Sequence, residues 1–90
     1  MNKGELVASI ADARGITKAQ AEQALNTVLG YMANAMEKGE KVIITGFGSF
    51  RVVERAERKG RNPQTGQNIV IPSHNVVKFR PAKNLYDKVQ

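Results

Sequence analysis

Apolar side chains recur every three to four positions over the first forty residues, then change to runs and alternation. Leu6, Val7, Ile10 and Ala11 predict a first helix, with Asn2 and Glu5 as a capping pair and Gly15 after Arg14 as its stop. A second helix is signalled by Thr17 and Gln20 as a capping box, with Ile16 placed to staple onto Ala21. Ala21, Leu25, Val28, Met32 and Ala35 form its stripe, widened by Ala24, Leu29 and Met36, and Gly39 ends it after Lys38. Met32 and Met36 read as core fillers. The stripe is wide for covering one small sheet, so part of it is expected to face a partner subunit.

After Glu40 the period changes. "KVIIT" (41–45) reads as a strand, and "GFGSF" (46–50) as a tight turn with Phe47 and Phe50 as core anchors. The glycines there lack the third glycine of a dinucleotide fingerprint and the Lys-Ser/Thr of a phosphate loop. "IVI" (69–71) and "VVKF" (76–79) are further strands, with Pro72 between them as a bend or an edge position. Pro81 is read as opening a short last helix in which Ala82, Leu85 and Val89 share a face. The resulting expectation is one α+β domain over 1–90. It comprises a helical body at 1–40, a three-stranded antiparallel sheet at 41–81 and a C-terminal helix at 82–90.

Residues 54–68 contain only Ala56 and Pro63 as apolar side chains and cannot join a core. Asn62-Pro63-Gln64-Thr65-Gly66 has the chemistry of a turn. With Gln64 at the tip, 51–61 would pair with 67–77, a ribbon of roughly 35 Å at ~3.3 Å per residue. This predicts a β-arm at about 54–74, mobile when free and ordered on a ligand, because an isolated ribbon is marginal in water.

Charge sharpens the picture. The net charge is +6, but residues 1–40 carry four Lys/Arg against five Asp/Glu, and residues 41–90 carry ten against three. The second half should face a polyanion. A membrane surface would call for a basic amphipathic helix with large apolar residues opposite, and the basic segment instead has glycines and a proline. No apolar run has the length of a membrane span, so an intracellular, soluble protein is expected. With 90 residues, no cysteine and one histidine, the chain has no disulfide or Cys/His metal site, which leaves self-association as the common route to more buried surface.

A two-stranded ribbon fits a DNA groove. Arg51, Arg55, Arg58, Lys59 and Arg61 line its first strand, suited to phosphates and to the negative potential of a narrow minor groove. Pro63 sets the turn. As a rigid apolar ring at the tip of a cationic arm, it can also wedge between base pairs and kink the duplex.

"GFGSFRVVERAERKGRNPQT" resembles the pattern G-F-x-x-F-x4-R-x-x-R-x-G-x-N-P-x-T of the bacterial HU and integration host factor family, and the resemblance runs over the whole chain. That family is itself a known example of minor-groove wedging, so the resemblance and the wedge argument are one line of support. The resemblance implies an intertwined dimer whose two β-arms embrace double-stranded DNA, non-sequence-specific binding with bending and compaction, and a place in the cytoplasmic nucleoid. By it Pro63 intercalates, Arg55, Arg58, Arg61 and Asn62 act in the arm, and Lys3 and Lys83 touch the backbone from the body; Arg80 is a further expected DNA contact of the body. It implies a preference for nicked, bent or distorted DNA and no cofactor. Tyr86 stands where a lysine is common and Ala82 where a glycine is frequent, which bears on the body contacts and not on the arm.

Three other readings are weaker. An enzyme would need a nucleophile–base pair or clustered carboxylates, and His74 has only Ser73 beside it, without a third member. His74 reads as a surface residue at the arm base, with a phosphate contact as its best other role, and Glu54 and Glu57 as salt-bridge partners or spacers. An RNA-binding structural protein fits less well, because A-form RNA is usually recognised by other means. A heterodimeric, site-preferring subunit of the host-factor kind is the nearer alternative, since "VVKFRP" is similar to those subunits, whereas compatibility with a homodimer favours HU.

Overall fold

A computed structural model describes all 90 residues. Helix α1 spans Lys3–Arg14 and α2 spans Lys18–Glu37, followed by β1 (Val42–Ile44), β2 (Gly48–Arg55), β3 (Arg58–Arg61), β4 (Asn68–Ile71), β5 (His74–Pro81) and α3 (Lys83–Lys88). The caps read from the sequence are formed. Asn2 Oδ1 accepts from the Glu5 backbone N–H at 2.8 Å. The Thr17–Gln20 box is reciprocal, with both bonds at 3.1 Å. Helix α1 ends at Gly15, and the Ile16 N–H then donates to the Ala11 carbonyl at 3.0 Å. These caps satisfy backbone groups that a helix end would otherwise leave unpaired.

The three-stranded sheet has the order β1-β2-β5, antiparallel throughout, and β3 and β4 form a separate two-stranded ladder. The molecule is long, 58 × 31 × 28 Å, with a radius of gyration of 18.8 Å. A compact chain of this length would have about 12 Å. The ribbon accounts for the difference.

Two sequence expectations are corrected. Pro81 does not open the last helix. It is the final residue of β5, opposite Gly48; Ala82 is the cap, and its N–H donates to the Phe47 carbonyl at 2.9 Å. A proline suits a strand end, where its missing N–H leaves no gap in the ladder. Val89 correspondingly lies beyond α3 and is exposed, and does not share a helical face with Leu85.

The second correction is the register of the arm. Arg51 opposes Lys78 and Arg61 opposes Asn68, one residue away from the pairing expected with Gln64 at the tip. The Asn62 N–H donates to the Gln67 carbonyl at 2.8 Å, so the loop is the four residues 63–66. Gly66, at φ 71°, turns left-handed and donates its own N–H to the Asn62 carbonyl at 2.8 Å, which side chains with a Cβ rarely permit. A shift of one residue reverses which face each side chain of the second strand occupies.

The interior of a single chain is small. Val7, Ala11 and Ala21 are buried, with Ile10 and Leu25 packed on them. Of the wide α2 stripe, Val28 and Leu29 are 53% and 46% exposed. On the sheet, Phe79 stacks at 4.8 Å from Phe50 and 5.5 Å from Phe47, yet Phe79 and Phe47 stay largely exposed. A cleft of about 410 Å³, lined mainly by Ala33, Met36, Val52, Val76 and Val77, remains open between the end of α2 and the sheet.

Candidate nucleic-acid interface

Strand alternation sorts the cations. Directly opposed residues of an antiparallel pair project to the same face. Arg51 with Lys78, Ser49 with Arg80, and Arg55 with His74 therefore share one face of the sheet, with the half-buried pair Val53 and Val76 among them. The other face carries Phe50 with Phe79, Val52 with Val77, and Glu54 with Asn75. One side of the β2–β5 pair is cationic and the other mostly apolar.

The ladder breaks at residues 56–57 and 72–73, where Pro72 has no N–H to contribute. The register nevertheless survives the break: Arg55 opposes His74, and Arg58 opposes Ile71, three residues further along each strand. Lys59 and Arg61 thus keep the parity of Arg51 and Arg55, while Arg58 has the opposite parity. Arg58 shares its side of the ribbon with Ile69 and Ile71, whose side chains close over Gly60: a Cβ there would stand 3.4 Å from Ile71 and 3.5 Å from Ile69. These two isoleucines are the arm's own apolar support.

The tip is braced by side chains. Asn62 Oδ1 accepts from the Gln64 N–H at 2.9 Å, and Arg61 Nε donates to the Gly66 carbonyl at 3.1 Å. Arg61 and Asn62, both expected to meet DNA, therefore also hold the turn. Pro63 is exposed as the first loop residue. The chain's two ion pairs, Met1 amine with Glu5 and Lys83 with Asp87, leave every arm cation unpaired.

On the body, Lys3 begins α1, Lys83 begins α3 and Arg80 lies near the end of β5. Lys83 sits 3.5 Å from Asp87, an exposed pair that water screens strongly. Two cations escaped the sequence reading. Lys78 faces Arg51 across the sheet, and Lys18 lines a shallow depression with Lys3, Gly4, Val7 and Glu22. Only the true register could have placed Lys78 on the cationic face. Lys18 carried no signal beyond its charge.

A small helical body, a three-stranded sheet and a cationic, proline-tipped ribbon define an arm-bearing α+β protein of the histone-like class. The chain belongs to the family described as bacterial DNA-binding protein, whose model matches residues 1–90. It is 48% identical over 90 residues to the SPbeta prophage-derived DNA-binding protein HU 2 of Bacillus subtilis, covering all of this chain and 98% of that one. Identity to the DNA-binding protein HU of Geobacillus stearothermophilus is 47% over the full length of both. Among solved structures, the Anabaena HU–DNA cocrystal matches with a TM-score of 0.92 at 43% identity, over 99% of this chain and 97% of that one. HU from Thermotoga maritima matches with a TM-score of 0.72 at 36% identity over the whole of both chains. No helix is long and apolar enough to cross a membrane.

Proposed function

We propose that this protein is an architectural DNA-binding protein, with little sequence preference, that bends double-stranded DNA between the two arms of a homodimer. The observation that carries the reading is one row of cations of a single strand parity. Arg80, Lys78 and Arg51 lie on the sheet, Arg55 at the arm base and Lys59 and Arg61 on the arm, with Glu57 the only acid in the row, and the exposed Pro63 follows. Such a row meets phosphates without reading bases, so affinity falls steeply with salt.

Each arm enters the minor groove with Arg55, Arg58, Lys59, Arg61 and Asn62 against its walls, and Pro63 wedges into a base step. Unstacking costs a few kcal/mol and is offset by the contacts that a bent duplex makes with the body. Lys3, Lys83 and Arg80 supply those contacts. Nicked or already bent DNA is favoured because less deformation energy is required. This chemistry requires no cofactor and no catalytic group, and on this reading the protein works in the cytoplasmic nucleoid.

The dimer follows from the exposed apolar surface. Val28, Leu29, Phe47, Val77 and Phe79 are each 43–62% exposed in one chain, and four buried residues cannot stabilise a 90-residue domain alone. A second copy of the chain covers this surface and sets two arms side by side.

Energy transfer between dyes at the two ends of a short duplex tests the reading, with intact and nicked DNA at two salt concentrations. Transfer should rise with protein, more readily on the nicked duplex, and be lost at high salt. Binding without any change in transfer would overturn the bending role.

A further inference from the structure

The one histidine of the chain occupies a particular place. His74 is exposed at the first position of β5, where the sheet gives way to the arm, and stands directly across the ladder from Arg55. It belongs to the face that holds Arg51, Lys78 and Arg80. Its Nδ1 lies 3.2 Å from the Pro72 carbonyl. A carbonyl oxygen only accepts, so this contact is a hydrogen bond in the tautomer that carries the ring hydrogen on Nδ1. The neutral imidazole then offers a lone pair at Nε2, an acceptor with nothing to give a phosphate oxygen. The protonated ring offers an N–H and a positive charge at the same position.

We propose that His74 is a proton-dependent phosphate contact, adding one cationic ligand per protomer to the DNA-binding face when its ring is protonated. The inference rests on the DNA-binding reading above. The charged groups of the same strand parity around it are Arg55 directly across the ladder, Glu57 in the break between β2 and β3, and Lys78 four residues along β5. A duplex adds phosphate anions to this mixed set, and by linkage proton uptake and DNA binding then strengthen one another. Histidine is the side chain that ordinarily changes charge between about pH 5 and about pH 8. DNA affinity therefore rises on acidification and falls as the ring loses its proton.

The test uses the full-length protein and a short intact duplex of arbitrary sequence, with affinity measured against salt at pH 5.5 and at pH 8. Each phosphate contact contributes about 0.9 to the slope of log affinity against log salt. With two His74 rings per dimer, the slope should steepen by about 1.8 at the lower pH. His74→Ala should show the shallow slope at both values, and His74→Lys the steep slope at both. Calorimetry in two buffers of different ionisation enthalpy should find more protons taken up on binding by the native protein than by His74→Ala. A native slope indifferent to pH would overturn the proposal, as would His74→Ala retaining the native pH dependence. Absence of binding at both pH values would overturn the DNA-binding reading itself, whereas binding with a flat pH response removes only the role of His74.

Discussion

Arg51 and Lys78 stand directly opposite each other on adjacent strands, two like charges on the same face of the sheet. Neither has an acidic partner in an ion pair. Like charges in this arrangement destabilise a sheet, and pairs of this kind contribute about 0.2–1 kcal/mol in either direction. On the function proposed above this surface lies against a polyanion, and local fold stability is given up for a contact made only with that ligand.

Replacing Lys78 by Thr should therefore separate the two effects. The fold should gain up to about 0.5 kcal/mol from relief of repulsion and from a β-branched residue in a strand. DNA binding should weaken, with the salt slope shallower by about 0.9 per protomer. Thermal unfolding and a salt titration on the same preparation give both signs. A variant that is more stable and binds with an unchanged slope would remove Lys78 from the interface.

Gly48 controls how closely β2 and β5 can lie. A Cβ on it would stand 2.6 Å from the Arg80 carbonyl oxygen and 2.6 Å from the edge of the Phe79 ring. The carbonyl belongs to the ladder and cannot move without breaking it, so Gly48→Ala should cost roughly 1–3 kcal/mol, the usual range for overpacking. The near-ultraviolet signal of the phenylalanine cluster should change along with the melting temperature. Native stability in this variant would mean that the strands can part at Arg80 without breaking the ladder and that the Phe79 ring has room to turn aside.

Pro63→Ala tests the wedge. The arm would keep its cations, and the turn would keep Gly66 and the Asn62 bonds, so salt-dependent affinity should fall little. Bending at saturation should fall much more, because alanine cannot fill an opened base step as a rigid ring does. Equal end-to-end energy transfer for mutant and native protein at saturation would refute the wedge.

Gly30 sits inside α2 on the side away from the apolar stripe, and a Cβ there would meet nothing within 4 Å. In an exposed helix interior, glycine is about 0.8–1.0 kcal/mol worse than alanine. Gly30→Ala should raise the melting temperature at fixed protein concentration and leave DNA affinity untouched. A loss of stability would place the back of α2 against a neighbour.

The cap residues, the two helices and the switch of period after Glu40 were legible because each depends on neighbours within four residues. So was the arm: Asn62, Pro63 and Gly66 announce a turn, and the side chains around them have no core to join. The cationic character of the second half followed from counting. What escaped were the features that depend on residues far apart in the chain. Pro81 has the composition of a helix start, but the Phe47 carbonyl claims the Ala82 N–H and holds Pro81 in the strand opposite Gly48.

The register of the ribbon shows the limit most clearly. A five-residue tip centred on Gln64 and a four-residue tip ending at Gly66 contain the same turn residues, and local chemistry does not choose between them. Two distant constraints agree on the answer: the left-handed Gly66 closes the tip, and bare Gly48 lets Phe79 and Arg80 lie close at the other end. The sequence by itself determined which segments are helix, strand and arm, and that the arm is basic with a proline near its tip, because those are local properties of side chains. The tertiary structure alone decided that Lys78 and His74 join Arg51 and Arg55 on one face. A face is a relation between two strands, and a single residue of slip reverses it.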